Sequence, residues 1–185
     1  YGGFFSVLIS RTNIASGLVG VGHGPEYGES RGVVPVGGGI PVSKFYLPSL
    51  FSRMNFRDAV KAIQGLDCFK NKSKFFSDIC DCPQCLDLIK TSPENDFEAY
   101  GQTTKKQVKG KNGLVTKAYP TSGSKGLCVK HYMHTKKKEY TSIEYLDLGE
   151  VCLSLTKMKK ALQNDLGPNL VSHCETWNNV LKKYI

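Results

Sequence analysis

The sequence predicts an α/β fold in which barrel-type strands with glycine loops are joined to a metal-binding knuckle. Two observations carry this. Ser16-Gly17-Leu18-Val19-Gly20-Val21-Gly22-His23-Gly24-Pro25 and Gly32-Val33-Val34-Pro35-Val36-Gly37-Gly38-Gly39-Ile40-Pro41 are each a brief apolar β run ending in glycines. Such repeated units resemble the C-terminal ends of parallel strands in a (β/α)8 TIM-like barrel, where loops bring backbone close to a ligand. Further on, Ile79-Cys80-Asp81-Cys82-Pro83-Gln84-Cys85 packs three thiols into six positions. A C-x-C-x-x-C segment turns back on itself so that all three sulfurs can face one point, as the ligands of a tetrahedral zinc must.

Composition narrows the class. At 185 residues the chain is about one domain long and can bury a core of its own. It opens on Tyr1 rather than Met, the expectation being a fragment or a processed form. The net charge of +9 points to a polyanion, most often nucleic acid, as partner. The charge is concentrated: Lys105, Lys106, Lys109, Lys111, Lys117, Lys125, Lys130, Lys136, Lys137 and Lys138 follow one another with no acid among them. A solvated insertion that keeps the protein soluble is the bland reading of that run, and phosphate contact the functional one. Seven clustered cysteines, an odd number, do not make a secreted disulfide framework, so a reducing, cytoplasmic setting is expected. No apolar run is long enough to span a bilayer, and no membrane partner is expected.

In chain order, the apolar run from Phe4 to Ile9 reads as a buried strand. The glycine loops that follow could be phosphate cradles, but no Gly-Lys-Ser/Thr completes a Walker A and the dinucleotide pattern is not met. Across residues 44–65, Phe45, Leu47, Leu50, Phe51, Met54, Phe56, Val60 and Ile63 recur at helical spacing, predicting one or two helices. Arg53 and Arg57, four apart there, face either phosphate or solvent. Residues 65–69 read as a short strand carrying Asp67, which is either a catalytic carboxylate at a strand end or a turn residue. Residues 91–126, rich in Ser, Thr, Lys, Gly and Pro, read as a loop-rich insertion. Residues 130–160 read as helical. Gly167-Pro168 then breaks the pattern, and Asn169 is expected to cap a last helix with Leu170, His173, Trp177, Val180 and Leu181 on one stripe. The chain divides into barrel elements at 1–79 and a zinc subdomain at 80–185, with the Lys-rich insertion at about 91–138.

Three thiolates leave a fourth ligand to find, and His173, Cys174, His131, His134, Cys128 and Cys68 are all candidates. Cys128-Val129-Lys130-His131 has C-x-x-H spacing, yet His131 and His134 stand in the Lys-rich stretch, where exposure or phosphate contact is as reasonable. His173 stands on an apolar stripe, where a lone histidine is more often a satisfied core residue. Spacing does not choose among them.

Cys80-x-Cys82-x-x-Cys85 followed at a distance by Leu162-x-x-x-Leu166-Gly167-x-x-Leu170-x-x-His173 resembles the zinc subdomain of the tRNA-guanine transglycosylase family. That resemblance implies a structural zinc held by Cys80, Cys82, Cys85 and His173, and a chain forming the C-terminal portion of the barrel. It implies base-binding roles for Gly17, Leu18, Val19, Gly20, Gly37, Gly38 and Gly39, and makes Asp67, in Leu66-Asp67-Cys68, the match to the family's nucleophile. The segment between Asp67 and Cys80 is shorter than in the family, and that between Cys85 and His173 longer. The insertion is similar to the divergent branch of 7-deazaguanine DNA transglycosylases. The activity implied is base exchange. A carboxylate attacks C1′ of a guanosine, guanine leaves, and a 7-deazaguanine base takes its place in DNA or tRNA. Arg53, Arg57, Lys130, Lys136, Lys137 and Lys138 are the expected nucleic-acid contacts. The rival is a non-catalytic zinc-containing nucleic-acid-binding subunit or fragment, paired with an active transglycosylase chain in a homo- or hetero-oligomer.

Overall fold

A computed structural model of the chain describes residues 4–9, 43–110, 113–142 and 145–183. Within them the fold is mixed α/β, mostly helical, with two small antiparallel sheets. Among the described residues there is no parallel strand pair and no closed barrel. The glycine-rich runs, with Gly17, Leu18, Val19, Gly20, Gly37, Gly38 and Gly39, lie outside the described residues.

Helix α1 (Phe4–Ile9) stands where an apolar strand is expected. Leu8 is fully buried in the common core, and Phe5 stacks on Trp177 at 5.0 Å, so the run is spent on helix packing. The next segment also departs from expectation. Strand β1 (Lys44–Leu47) pairs antiparallel with β2 (Ser52–Asn55), Lys44 opposite Asn55 and Leu47 opposite Ser52. Pro48 opens a 3-10 turn at Pro48–Leu50, and Phe51 closes it in the left-handed region at φ 49°. Proline fixes the φ a turn start needs, so the periodicity is cut before a helix can form across it. Helix α2 (Phe56–Gly65) begins only afterwards and buries Ala59, Ala62 and Ile63.

Residues 65–69 are not a strand but the turn that ends α2. Asp67 holds φ 56°, which Asp tolerates better than most residues, and Cys68 N–H donates to Ile63 O at 3.0 Å. Helix α3 (Lys72–Asp78) is capped by Asn71, whose side chain accepts from Ser73 and Lys74 N–H. Helix α4 (Pro83–Leu88) starts on Pro83, which needs no N–H in the first turn. Helix α5 (Pro93–Phe97) is capped by Ser92 and runs into a 3-10 turn at Glu98–Gly101. A Cβ on Gly101 would fall inside the ring of Phe56, so only glycine fits there.

Residues expected to be loop form a hairpin. β3 (Thr103–Gly110) pairs with β4 (Gly113–Pro120) from Thr103 opposite Pro120 to Gly110 opposite Gly113. Three longer helices follow. Thr121 caps α6 (Ser122–Thr141) by accepting from Ser124 N–H, and Asp147 caps α7 (Leu148–Leu166) by accepting from Glu150 N–H. α8 (Pro168–Leu181) starts on Pro168 with Gly167, not Asn169, at the cap position. No helix among the described residues is long and apolar enough to cross a membrane.

One core joins these elements. Phe45 and Leu47 from β1, Ala62 and Ile63 from α2, Cys85 from α4, Tyr100, Cys128 from α6, and Leu155 and Leu162 from α7 all belong to it. At its centre Phe45 meets Phe97 edge-on at 4.8 Å, Tyr100 edge-on at 5.0 Å, and the His131 ring face to face at 4.2 Å. The knuckle is therefore embedded in the core.

Candidate metal centre

Cys80 and Cys82 precede α4, and Cys85 sits in its first turn, so the Pro83 helix start folds the three sulfurs towards one side. Across from them α6 presents His131. The sulfurs of Cys80, Cys82 and Cys85 and a ring nitrogen of His131 all lie within 4.8 Å of one another, and all four residues are buried. His131 Nδ1 is 3.4 Å from Cys82 Sγ and 3.4 Å from Cys85 Sγ. Zinc–sulfur and zinc–nitrogen bonds at tetrahedral angles place such N and S ligands about 3.5 Å apart. The cluster is thus already close to the spacing of a bound metal, and it can hold a metal ion.

The surrounding groups suit that use. His131 Nε2 lies 2.7 Å from the carbonyl of Tyr46, and a carbonyl only accepts, so Nε2 carries a proton and Nδ1, which faces the thiols, is the nitrogen a metal would take in place of its proton. The Cys82 backbone N–H points at Cys80 Sγ at 3.4 Å, and Tyr100 Oη is 3.3 Å from Cys85 Sγ, so both can donate to thiolate sulfur. The protonation pattern shows what a cation would resolve. Hydrogen bonds from Cys80 and Cys85 hold the Cys82 thiol far below its usual range, while the same crowding, from Cys80 and Cys82 and then burial, pushes Cys85 far up. Burial opposes charge on His131, but Cys80 and Cys82 raise its pKa to about 9. A divalent cation would let all three ionise.

His173, the ligand implied by the resemblance, is elsewhere. Its Nε2 is 2.8 Å from the carbonyl of Leu50, and its ring meets Trp177 edge-on at 5.3 Å. It fastens α8 to the turn after β1, the satisfied-histidine role, and the fourth ligand position falls to His131. The signal for His131 was present in Cys128, His131, Tyr132 and Thr135, which recur at helical spacing and are all buried on one side of α6. The surrounding lysines obscure that face. Cys128 itself points away from the cluster, its Sγ against the Tyr100 carbonyl at 3.6 Å, so the C-x-x-H pair makes no second site. Cys68 contacts the Leu66 carbonyl at 3.4 Å, and His134 is exposed.

The other predicted residues scatter. Asp67 is exposed and paired with Lys70 at 2.8 Å, which holds its carboxyl below the usual range. It lines neither of two clefts in the surface. One, of about 430 Å³, lies over the knuckle between Asp78, Asp81, Thr135 and Lys138. The other, of about 380 Å³, lies between the start of α2 and the root of the β3–β4 hairpin, with Arg57, Thr103 and Pro120 in its lining. Lys136 is no phosphate contact. It is 3% exposed, with Nζ 2.5 Å from Tyr46 Oη and 2.9 Å from Glu139 Oε2. Lys138 reaches Asp81 at 2.6 Å on the knuckle surface, Lys130 and Lys137 are exposed, and the Arg53 guanidinium lies over the Tyr132 ring at 4.9 Å. No family model, curated protein or solved structure matches the chain.

Proposed function

We propose that this chain is the zinc-bearing, nucleic-acid-holding part of a base-exchange transglycosylase that replaces guanine by a 7-deazaguanine in DNA or tRNA. What supports it is the Cys80-x-Cys82-x-x-Cys85 knuckle, buried here with His131 rather than with the His173 that the resemblance implies. All four positions of a tetrahedral ion are taken by protein side chains, which leaves none for a substrate and makes the zinc structural. The ion is set in α4 and α6, and α6 is the helix that carries Lys130 and Lys137 outward. Zinc thus fixes a basic surface. The reading keeps the chain as a C-terminal portion of a barrel, with base recognition assigned to the glycine runs at residues 17–39.

Between the two forms of this function, the non-catalytic one is favoured by Asp67, which stands in an exposed ion pair away from either cleft. A nucleophile for C1′ needs a site that holds the target base out of its stack. The test is incorporation of labelled guanine into DNA and tRNA by the full chain, alone and with a transglycosylase chain, after its zinc content is measured. Zinc at one per chain, with binding but no exchange by the chain alone, is the expected result. Exchange by the chain alone that disappears in Asp67→Asn would restore Asp67 as the nucleophile. A chain that takes up no zinc would overturn the reading.

A further inference from the structure

The β3–β4 hairpin is costly to explain as part of the fold. All of its described residues are exposed or half-buried except Pro120 at the root. The root is well held: Thr121 N–H and Ser124 Oγ both donate to the Gln102 carbonyl at 3.0 Å. Beyond it the two strands lean on each other. An isolated two-stranded ribbon is marginal in water, and its stability comes from cross-strand pairs. Val108 opposite Val115 is such a pair, but next along the same face Lys106 stands directly opposite Lys117, a repulsive arrangement. Lys106 Nζ also lies over the Tyr119 ring at 5.9 Å, and Lys105 and Lys109 project from the other face. Edge lysines do protect strands from aggregation. Protection does not require two of them face to face, nor the lack of any Asp or Glu across residues 99–138.

We propose that this ribbon enters the major groove of duplex DNA, with Lys106 and Lys117 taking phosphates that relieve their mutual repulsion. The inference deepens the nucleic-acid reading above and rests on it. Eight residues per strand give a ribbon of roughly 24 Å, and a B-form major groove, about 12 Å wide, admits a two-stranded ribbon. A-form RNA keeps its major groove too deep and narrow for side chains to read, which assigns the ribbon to DNA. Arg57, in the cleft at the root, extends the basic surface to the flank of the duplex.

The test titrates the full, zinc-loaded chain against a mixed-sequence DNA duplex of about two helical turns over a range of salt concentrations. Each phosphate contact contributes about 0.9 to the slope of log K against log salt. Lys106→Ala/Lys117→Ala should therefore flatten the slope by about 2, and Lys106→Arg/Lys117→Arg should restore it. Methylation of guanine N7, which opens on the major groove, should be blocked by the wild-type chain and not by the alanine variant. An unchanged slope, or guanines left open to methylation, overturns the proposal, as does an RNA hairpin bound as tightly through the same lysines. If Lys130→Ala/Lys137→Ala weakens DNA binding while the ribbon variant does not, the ribbon assignment fails and the nucleic-acid reading stands. If the wild-type chain binds neither DNA nor RNA while carrying its zinc, both fail.

Discussion

His131 makes three kinds of contact at once. One ring nitrogen faces the thiols, the other meets the Tyr46 carbonyl, and the ring face lies on Phe45. Replacing it removes a candidate ligand and opens the aromatic core, whereas His173 meets a carbonyl, the Cys174 sulfur and a neighbouring ring outside the cluster. The expected outcome is that His131→Ala weakens zinc binding by more than the roughly 10–100-fold typical of a lost outer-shell partner. His173→Ala should retain one zinc per chain. Competition against a chromophoric chelator reads both, and metal loss in His173→Ala with retention in His131→Ala would reverse the ligand assignment. The same residues show what a sequence discloses. Cys80, Cys82 and Cys85 are legible because C-x-C-x-x-C is a local geometry, closed within a few bonds of its own chain. The fourth ligand position comes from a helix placed by tertiary packing, and its local trace, the spacing of Cys128, His131, Tyr132 and Thr135, is obscured by the lysines around it.

Lys136 shows how an element changes the meaning of a charge. Lys136, Lys137 and Lys138 are one basic run in sequence, but a helix turns successive residues by about 100°, so they point in different directions. Lys137 faces solvent, Lys138 reaches the knuckle at Asp81, and Lys136 is buried against Tyr46 and Glu139. Its ammonium lies 4.1 Å from the Tyr46 ring centre as well. Removing one partner of a buried pair leaves the other charge uncompensated, at a cost of about 3–5 kcal/mol. Lys136→Ala should lower the denaturant midpoint accordingly, with Lys137→Ala unchanged within about 0.5 kcal/mol; equal effects would place Lys136 at the surface. Helical character over residues 130–160 and the last helix after Gly167-Pro168 were legible, but the start of α6 at Ser122, the break between α6 and α7, and the cap of α8 at Gly167 rather than Asn169 were not. The two hairpins were not. In β1–β2 the spacing Phe45, Leu47, Leu50, Phe51, Met54 satisfies a helix and a bent hairpin alike, and Pro48 decides between them. In β3–β4 the alternation is of lysine with threonine, glutamine and valine, so the usual contrast of apolar and polar faces is missing.

For the molecule as a whole, the candidate metal centre and the hydrophobic core are one structure. Cys80, Cys82 and Cys85 belong to the same buried cluster as Phe45, Phe97 and Leu155, and Tyr100 is both a core aromatic and a neighbour of Cys85 sulfur. If zinc fills that cluster as proposed, stripping it should not release a local loop. It should leave three thiols and an imidazole facing one another inside the core, a buried polar set without its central charge. Structural zinc contributes about 10–16 kcal/mol to the folding of small finger peptides. A loss of only ~5 kcal/mol from a chain of this size lowers the melting temperature by about 10–20 °C. The expected outcome is such a fall on adding a strong chelator, reversed by zinc. The order of unfolding follows from where the contacts lie. Protection from hydrogen exchange should vanish first in α4 and α6, which carry the ligands, and in β1, which receives the His131 hydrogen bond. It should persist longest where α7 packs on α8, because their main contacts are with each other and with α2 and the turn after β1. A melting temperature indifferent to the chelator, with zinc demonstrably removed, would show that core packing holds the knuckle closed unaided, and would take from the metal its structural role.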